Sequence, residues 1–164
     1  MPPGEATQAA AAGTAKLVCF FLHGQEYAAE IGDVVETLAV RPITRVFLTP
    51  PWMAGIMNLR GDVVAVLDLA RLIGMPPTLI TDDSRIVLAR HEGRRAGLLV
   101  DGLAELRALD LSLVEPPPAT LASEVATLLR GVVTVAGGEV VRLLDLPALF
   151  ESDKLRSLGG SATV

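Results

Sequence analysis

The sequence predicts an all-β protein: two small, similar barrels packed as one duplicated domain, with short helices. Short β-forming runs bounded by Gly, Pro and Asn recur along the chain. The chain also repeats itself. Leu17 to Val40 aligns without a gap on Ile86 to Leu109, and Val63-Val64-Ala65-Val66-Leu67-Asp68-Leu69 returns as Val140-Val141-Arg142-Leu143-Leu144-Asp145-Leu146. Leu59-Arg60-Gly61 is echoed by Leu129-Arg130-Gly131, with an extra turn at Ala136-Gly137-Gly138-Glu139 in the second copy. Two copies of so long a unit do not make a solenoid. Two barrels sharing one domain fit them.

Met1 to Ala15, rich in Ala, Gly and Pro, reads as a flexible tail. Lys16 to Ile31 is a hairpin, with Leu17 to Leu22 running out, His23-Gly24-Gln25 turning and Tyr27 to Ile31 returning. Val34 to Val40 is a further strand or a short helical turn. Arg41 to Trp52 is a loop, because its prolines cannot donate to a ladder. Met53 to Leu59 is a strand, Gly61-Asp62 turns, and Val63 to Leu67 returns antiparallel. Asp68 caps a short helix through Ile73, stopped by Gly74 and Pro76. That completes a first barrel at about residues 16–74, and Met75 to Asp83 links it to the second, at about 84–150. The second barrel repeats the hairpin through Ile86 to Ala89, Glu92-Gly93-Arg94 and Ala96 to Val100. Glu115-Pro116-Pro117-Pro118 is a rigid loop, and Ser123 to Leu128 is a helical turn. Asp145 caps a last helix that carries Pro147 in its first turn. The chain ends are free to cross between barrels. The domain thus spans 16–151, and 152–164 is a C-terminal tail that starts helical.

Composition excludes several classes. A chain this long removes roughly 68–70% of its unfolded surface from water, so it can bury a real core. Hydrophobic residues make up 51% of it, yet no apolar run reaches the ~18 residues of a membrane helix. The N-terminus lacks the basic-then-apolar pattern of a secretory signal. A net charge of −5 argues against duplex DNA, which needs a basic footprint. Only 4% of residues are aromatic, which leaves little to stack RNA bases on. Cys19, the one cysteine, lies in the first strand and reads as a buried structural thiol. The expectation is a soluble intracellular protein with no nucleic-acid partner and no membrane insertion.

No catalytic pattern emerges. His23 and His91 sit at the ends of turn-flanking strands, but no His-x-x-His, Cys-x-x-Cys or His-Glu-x-x-His spacing makes a metal site. Glycine-rich phosphate loops are missing too. No catalytic residue, cofactor or metal is therefore expected. Asp68 and Asp145 resemble a carboxylate pair, yet each follows an apolar strand and precedes a short helix, the place of an N-cap. Trp52 reads equally as a partner anchor and as core packing beneath the Pro-rich loop. Arg60 interrupts the least polar region of the chain. A guanidinium stays charged and so needs a carboxylate or solvent. A salt bridge that only joins two strands and a partner-facing ion pair are equally open at this point.

The run Gly55-Ile56-Met57-Asn58-Leu59-Arg60-Gly61-Asp62-Val63-Val64-Ala65-Val66-Leu67-Asp68-Leu69 closely resembles the signature of the CheW family of bacterial chemotaxis coupling proteins. Phe20 to Tyr27, Gly97-Leu98-Leu99-Val100-Asp101-Gly102, Glu115 to Pro118 and Leu144-Asp145-Leu146 are similar to that family in order and spacing. The resemblance covers about Lys16 to Glu151. It implies two SH3-like five-stranded β barrels around a shared core, and a cytoplasmic, non-enzymatic adaptor recruited to receptor arrays. The implied partners are the cytoplasmic tip of a chemoreceptor (a methyl-accepting chemotaxis protein) and the regulatory domain of the histidine kinase CheA. A related adaptor in a non-motility two-component pathway, binding receptor without kinase, is the alternative. Carried over by position, Asn58 and Arg60 fall in the matched signature, and Val34 and Glu36 in the phrase that lines the receptor groove beside that arginine. Gly97 falls in the strand expected to form the other wall, in the second barrel. The resemblance puts kinase contact on the outer strands of the first barrel. Arg60 is expected to pair with Glu36, because a permanent cation on an apolar strand favours a planar carboxylate.

Overall fold

In the computed structural model, residues 13–158 are described, and the tail readings for 1–12 and 159–164 lie outside them. The first half of the chain forms β1 (Thr14–Leu22), β2 (Gln25–Glu30), a 3-10 turn (Ile31–Asp33), β3 (Val34–Ala39), β4 (Met53–Leu59), β5 (Asp62–Asp68) and α1 (Leu69–Leu72). The second half forms β6 (Arg85–His91), β7 (Arg94–Val100), β8 (Gly102–Leu103), β9 (Arg107–Asp110), a 3-10 turn (Leu111–Leu113) and α2 (Ser123–Ala126). It ends with β10 (Leu129–Thr134), β11 (Val140–Leu144), α3 (Leu146–Glu151) and α4 (Asp153–Ser157). Thr14 and Ala15 already belong to β1, paired with Asp110 and Leu109 of β9.

The local chemistry follows the sequence with one shift: the β4–β5 turn falls at Arg60-Gly61, one residue before the expected Gly61-Asp62, and Asp62 already pairs with Leu59. His23 and Gly24, Arg60 and Gly61, and Glu92 and Gly93 all adopt positive φ, which is the conformation of a two-residue hairpin turn matched to strand twist. The Asp68 carboxylate accepts from Arg71 N and the Asp145 carboxylate from Ala148 N, so both aspartates are caps. Asp68 also accepts from the backbone N–H and the hydroxyl of Thr78, each at 3.0 Å.

The strands sort into two sheets in a way the sequence halves do not show. One sheet runs β10-β11-β2-β1-β8, with β9 also on β1, and the other runs β3-β6-β7-β5-β4. Each sheet therefore takes its hairpin from one copy of the repeat and its remaining strands from the other. The exchange is sealed by two parallel pairings, β2 with β11 and β5 with β7. Parallel neighbours cannot be joined by a tight turn, so long-range connections are built into both sheets.

Each sheet curls until its ends meet. The chain leaving β3 returns to β4 at Thr44, which exchanges two 2.8 Å backbone hydrogen bonds with Ile56. The chain beyond β9 returns to β10 at Glu115, which exchanges backbone hydrogen bonds of 2.8 and 2.9 Å with Val132. Neither seam is a full ladder, so the bodies are SH3-like but open. A glycine stands at each seam. A Cβ on Gly55 would lie 2.2 Å from the Thr44 carbonyl oxygen, and one on Gly131 would lie 2.0 Å from that of Glu115. Both glycines mark register shifts in their ladders. Gly55 and Gly131 are thus the structural equivalents, and the Leu-Arg-Gly echo is not. Leu59-Arg60-Gly61 turns the β4–β5 hairpin, whereas Leu129-Arg130-Gly131 opens β10.

Alternation along the strands builds three cores. Val64 and Val66 of β5 and Ile86 and Leu88 of β6 point inside the five-stranded body. Leu17 and Cys19 of β1 and Val141 and Leu143 of β11 fill the six-stranded body. The intervening residues, including Phe20, Leu22, Leu67, Val87 and Leu98, meet Trp52, Leu146 and Phe150 in a core shared by both. Strands buried on both faces read as continuous apolar runs, which explains the density of the signature. Trp52 is core.

Candidate functional site

A groove of about 400 Å³ lies where the two sheets meet edge to edge. Val34, Val35 and Glu36 of β3 form one wall. Leu103, Ala104 and Leu106 form the other, with Val18 and Cys19 of β1 beneath. Both walls come from sheet margins: β3 ends the five-stranded sheet, and β8 lies at the end of the six-stranded one. Ile31, Val35, Leu103 and Leu106 stay exposed around it. Clustered exposed apolar side chains mark protein contact surfaces.

A charged feature stands at the β3 wall. The ladder of β3 on β6 shifts register between Val34 and Glu36, and such a bulge re-aims the side chains around it. Glu36 accepts two hydrogen bonds from Arg60, from Nη1 at 2.7 Å and Nη2 at 2.9 Å. This bidentate pair is the one the sequence predicts. β3 and β4 end opposite sides of the same ladder, so the pair spans the seam that Thr44 and Ile56 close. Arg60 is held in the β4–β5 turn, where the Asn58 side-chain oxygen accepts from Gly61 N at 3.0 Å. The two hydrogen bonds from Arg60 hold the Glu36 carboxyl below the usual glutamate range. The side chains keep 68% and 30% exposure, so solvent screens the attraction and it does little for stability. Its effect is to fix two opposite charges at the groove's edge.

Of the expected residues, Val34 and Glu36 line the groove, Arg60 reaches Glu36 from the β4–β5 turn, and Asn58 braces that turn. Gly97 does not join them. It lies in β7 of the same five-stranded sheet, between Leu88 and Val66. A Cβ there would point into the body, 2.9 Å from Ile86 Cγ2 and 3.4 Å from Met57 Cε. The expected placement in a second-barrel wall is therefore corrected, because the hairpin exchange carries β7 into the first body. Leu103, Ala104 and Leu106 supply that wall, and only their apolar character in the phrase after Gly102 signals it.

Other candidates resolve into structure. Burial, and next the Glu26 carboxylate, push the Cys19 thiol up to about 12, so it is inert at neutral pH. His23 is tied through its ring to the Pro76 carbonyl at 2.7 Å and through its backbone N–H to Asp101 at 2.6 Å. Sequence reasoning missed the pair of Glu26 with Arg107, bidentate at 2.7 and 3.1 Å with Glu26 only 7% exposed. A second groove, of about 540 Å³, lies beside outer strands β4 and β5, lined by Val46, Phe47, Leu48, Met53 and Val63. Phe47 there is 94% exposed. Among the described residues, no helix is long and apolar enough to cross a membrane.

Comparison with known proteins gives one answer. The model of the CheW-like domain matches residues 16–154. The probable chemotaxis protein CheW of Rhizobium etli is 30% identical over 138 residues, covering 84% of this chain and 88% of that protein. FrzA of Myxococcus xanthus is 27% identical over 96% of this chain and 99% of its own length. The crystal structure of the scaffolding protein CheW from Thermoanaerobacter tengcongensis superposes with a TM-score of 0.75 at 31% identity, covering 85% of this chain and 90% of that one.

Proposed function

This chain belongs to the CheW-like domain family, and on that premise we infer that it is a non-enzymatic adaptor coupling chemoreceptors to the histidine kinase CheA in chemosensory signal transduction. It works by holding two partners at once. The groove between β3 and β8 takes the receptor's cytoplasmic tip. Val34 supplies apolar contact there, and the Glu36–Arg60 pair presents a fixed charge pattern that sets register, since charge complementarity contributes specificity more than affinity. Asn58 positions Arg60 by bracing its turn. Gly97 acts from inside, leaving room for Ile86 and Met57 so that the sheet keeps its curvature. The regulatory domain of CheA docks on the outer strands of the five-stranded sheet, where Phe47 and Leu48 are the exposed apolar anchors. Such a protein is cytoplasmic and recruited to receptor arrays.

The observation that carries this reading is the bidentate Arg60–Glu36 pair at the margin of an apolar inter-sheet groove. It is tested by pull-down with a receptor-tip fragment and with a CheA regulatory domain. Capture of both supports the coupling role. A second reading, an adaptor serving a non-motility two-component pathway, is favoured by the near full-length match to a relative that bears another name. Receptor capture without kinase capture selects it.

A further inference from the structure

Against the expectation from sequence spacing that no metal binds, we propose that His91, Glu92 and Glu151, brought together only by the fold, form a binding site for a zinc-class divalent cation that staples the five-stranded sheet to the C-terminal helices. His91 ends β6, Glu92 opens the β6–β7 turn, and Glu151 ends α3. His91 Nε2 lies 3.2 Å from Glu151 Oε1 and 3.8 Å from Glu92 Oε2. The three ligand atoms all lie within 4.8 Å of one another. Donors at about 2.0–2.2 Å from a tetrahedral zinc stand roughly 3.3–3.6 Å apart, so small side-chain movements close the shell. One imidazole and two carboxylates, with water as the fourth ligand, is a donor set zinc accepts. The imidazole disfavours magnesium and calcium, which prefer all-oxygen shells.

The surroundings favour this corner. The His91 ring is 19% exposed and lies 5.8 Å from the buried Phe150 ring, which limits its rotation. Glu92 is held at positive φ by the hairpin turn. One cation already competes. Arg94 Nη2 sits 3.4 Å from Glu151 Oε1, but it also donates to the Phe150 carbonyl at 2.8 Å and lies over the Phe150 ring. It can release the carboxylate and keep those partners.

The position gives the site its consequence. His91 and Glu92 belong to the five-stranded sheet, whereas Glu151 follows β11 of the six-stranded one through α3. A bound cation links the two sheets whose edges form the groove. The inference does not depend on the adaptor reading. It is tested on the untagged full-length chain, stripped with a chelator and titrated with cobalt(II), then with zinc. One equivalent of cobalt should bind with the visible absorption of a tetrahedral site and be displaced by zinc, and zinc should raise the melting temperature. His91→Ala and Glu151→Gln, checked for folding by circular dichroism, should weaken cobalt binding by more than about tenfold, and Arg94→Gln should tighten it. No cobalt uptake by the wild-type chain, or unchanged uptake by His91→Ala, overturns the proposal.

Discussion

Alanine at Gly55 or Gly131 should unseat a seam, and the size of the effect follows from the geometry. The new Cβ would stand 2.2 Å from the Thr44 carbonyl oxygen in one case and 2.0 Å from the Glu115 carbonyl oxygen in the other. Neither atom belongs to a flexible side chain, so the returning segment must move away. At Gly55 that breaks the two 2.8 Å bonds between Thr44 and Ile56, and at Gly131 the bonds of 2.8 and 2.9 Å between Glu115 and Val132. A net hydrogen bond is worth about 1 kcal/mol, and a side chain forced to positive φ costs about 1 kcal/mol more. Each variant should therefore lose about 3 kcal/mol. At about 2–4 °C per kcal/mol for a chain this size, the melting temperature should fall by about 6–12 °C. Gly24→Ala and Gly93→Ala are the controls. Their φ values are +77° and +79°, but nothing lies within 4 Å of an added Cβ, so only the conformational term remains, near 2–4 °C. Differential scanning calorimetry on the four variants decides. If Gly55→Ala and Gly131→Ala melt alongside Gly24→Ala, the seams do not depend on glycine and this account of closure is wrong.

Other outcomes follow from particular residues. Arg107→Ala leaves the Glu26 carboxylate buried without its cation and should cost about 3 kcal/mol by urea denaturation, near the low end for breaking a buried pair. Cys19 should resist a thiol reagent in the native state and react only on unfolding. Because the folded thiol holds its proton up to about 12 and the unfolded one releases it near 9, this group leaves stability constant below about pH 9 and lowers it between 9 and 12. The Glu36 carboxyl should titrate below the usual glutamate range by NMR and return to it in Arg60→Ala. Its depressed value means that any stability from the pair is present above the ordinary glutamate pKa and is lost as pH falls through the lower folded value.

The two Gly-centred hairpin turns, both caps and the limits of β4 were legible because each has a local cause, whereas the start of β1 at Thr14 depends on its distant partner β9. His23-Gly24, Glu92-Gly93 and the Asp68 and Asp145 caps sit where the residue types put them, and β4 runs over Met53–Leu59 as read. The Arg60–Glu36 pair was legible for a different reason: a permanent charge in an apolar run must find a partner, and the family likeness put Glu36 beside it. Which hairpin joins which sheet was not legible. Period-two alternation satisfies either assignment, and the deciding pairings, β2 with β11 and β5 with β7, are parallel contacts between distant segments. The same exchange misplaced Gly97. Glu26 and Arg107 meet across 81 residues of sequence, and nothing local marks either as a partner.

Titrating a receptor-tip fragment into the wild-type chain and into Arg60→Glu, by calorimetry, tests the central claim most directly, with binding of the CheA regulatory domain as the internal control. Arg60→Glu sets two like charges at the groove edge while leaving all three cores untouched. The account predicts that wild type binds both partners, and that the variant loses receptor affinity by at least about tenfold, which is 1.4 kcal/mol, while it melts near wild type and keeps the kinase domain. Receptor binding that survives Arg60→Glu unchanged, or a wild-type chain that binds neither partner, would contradict it.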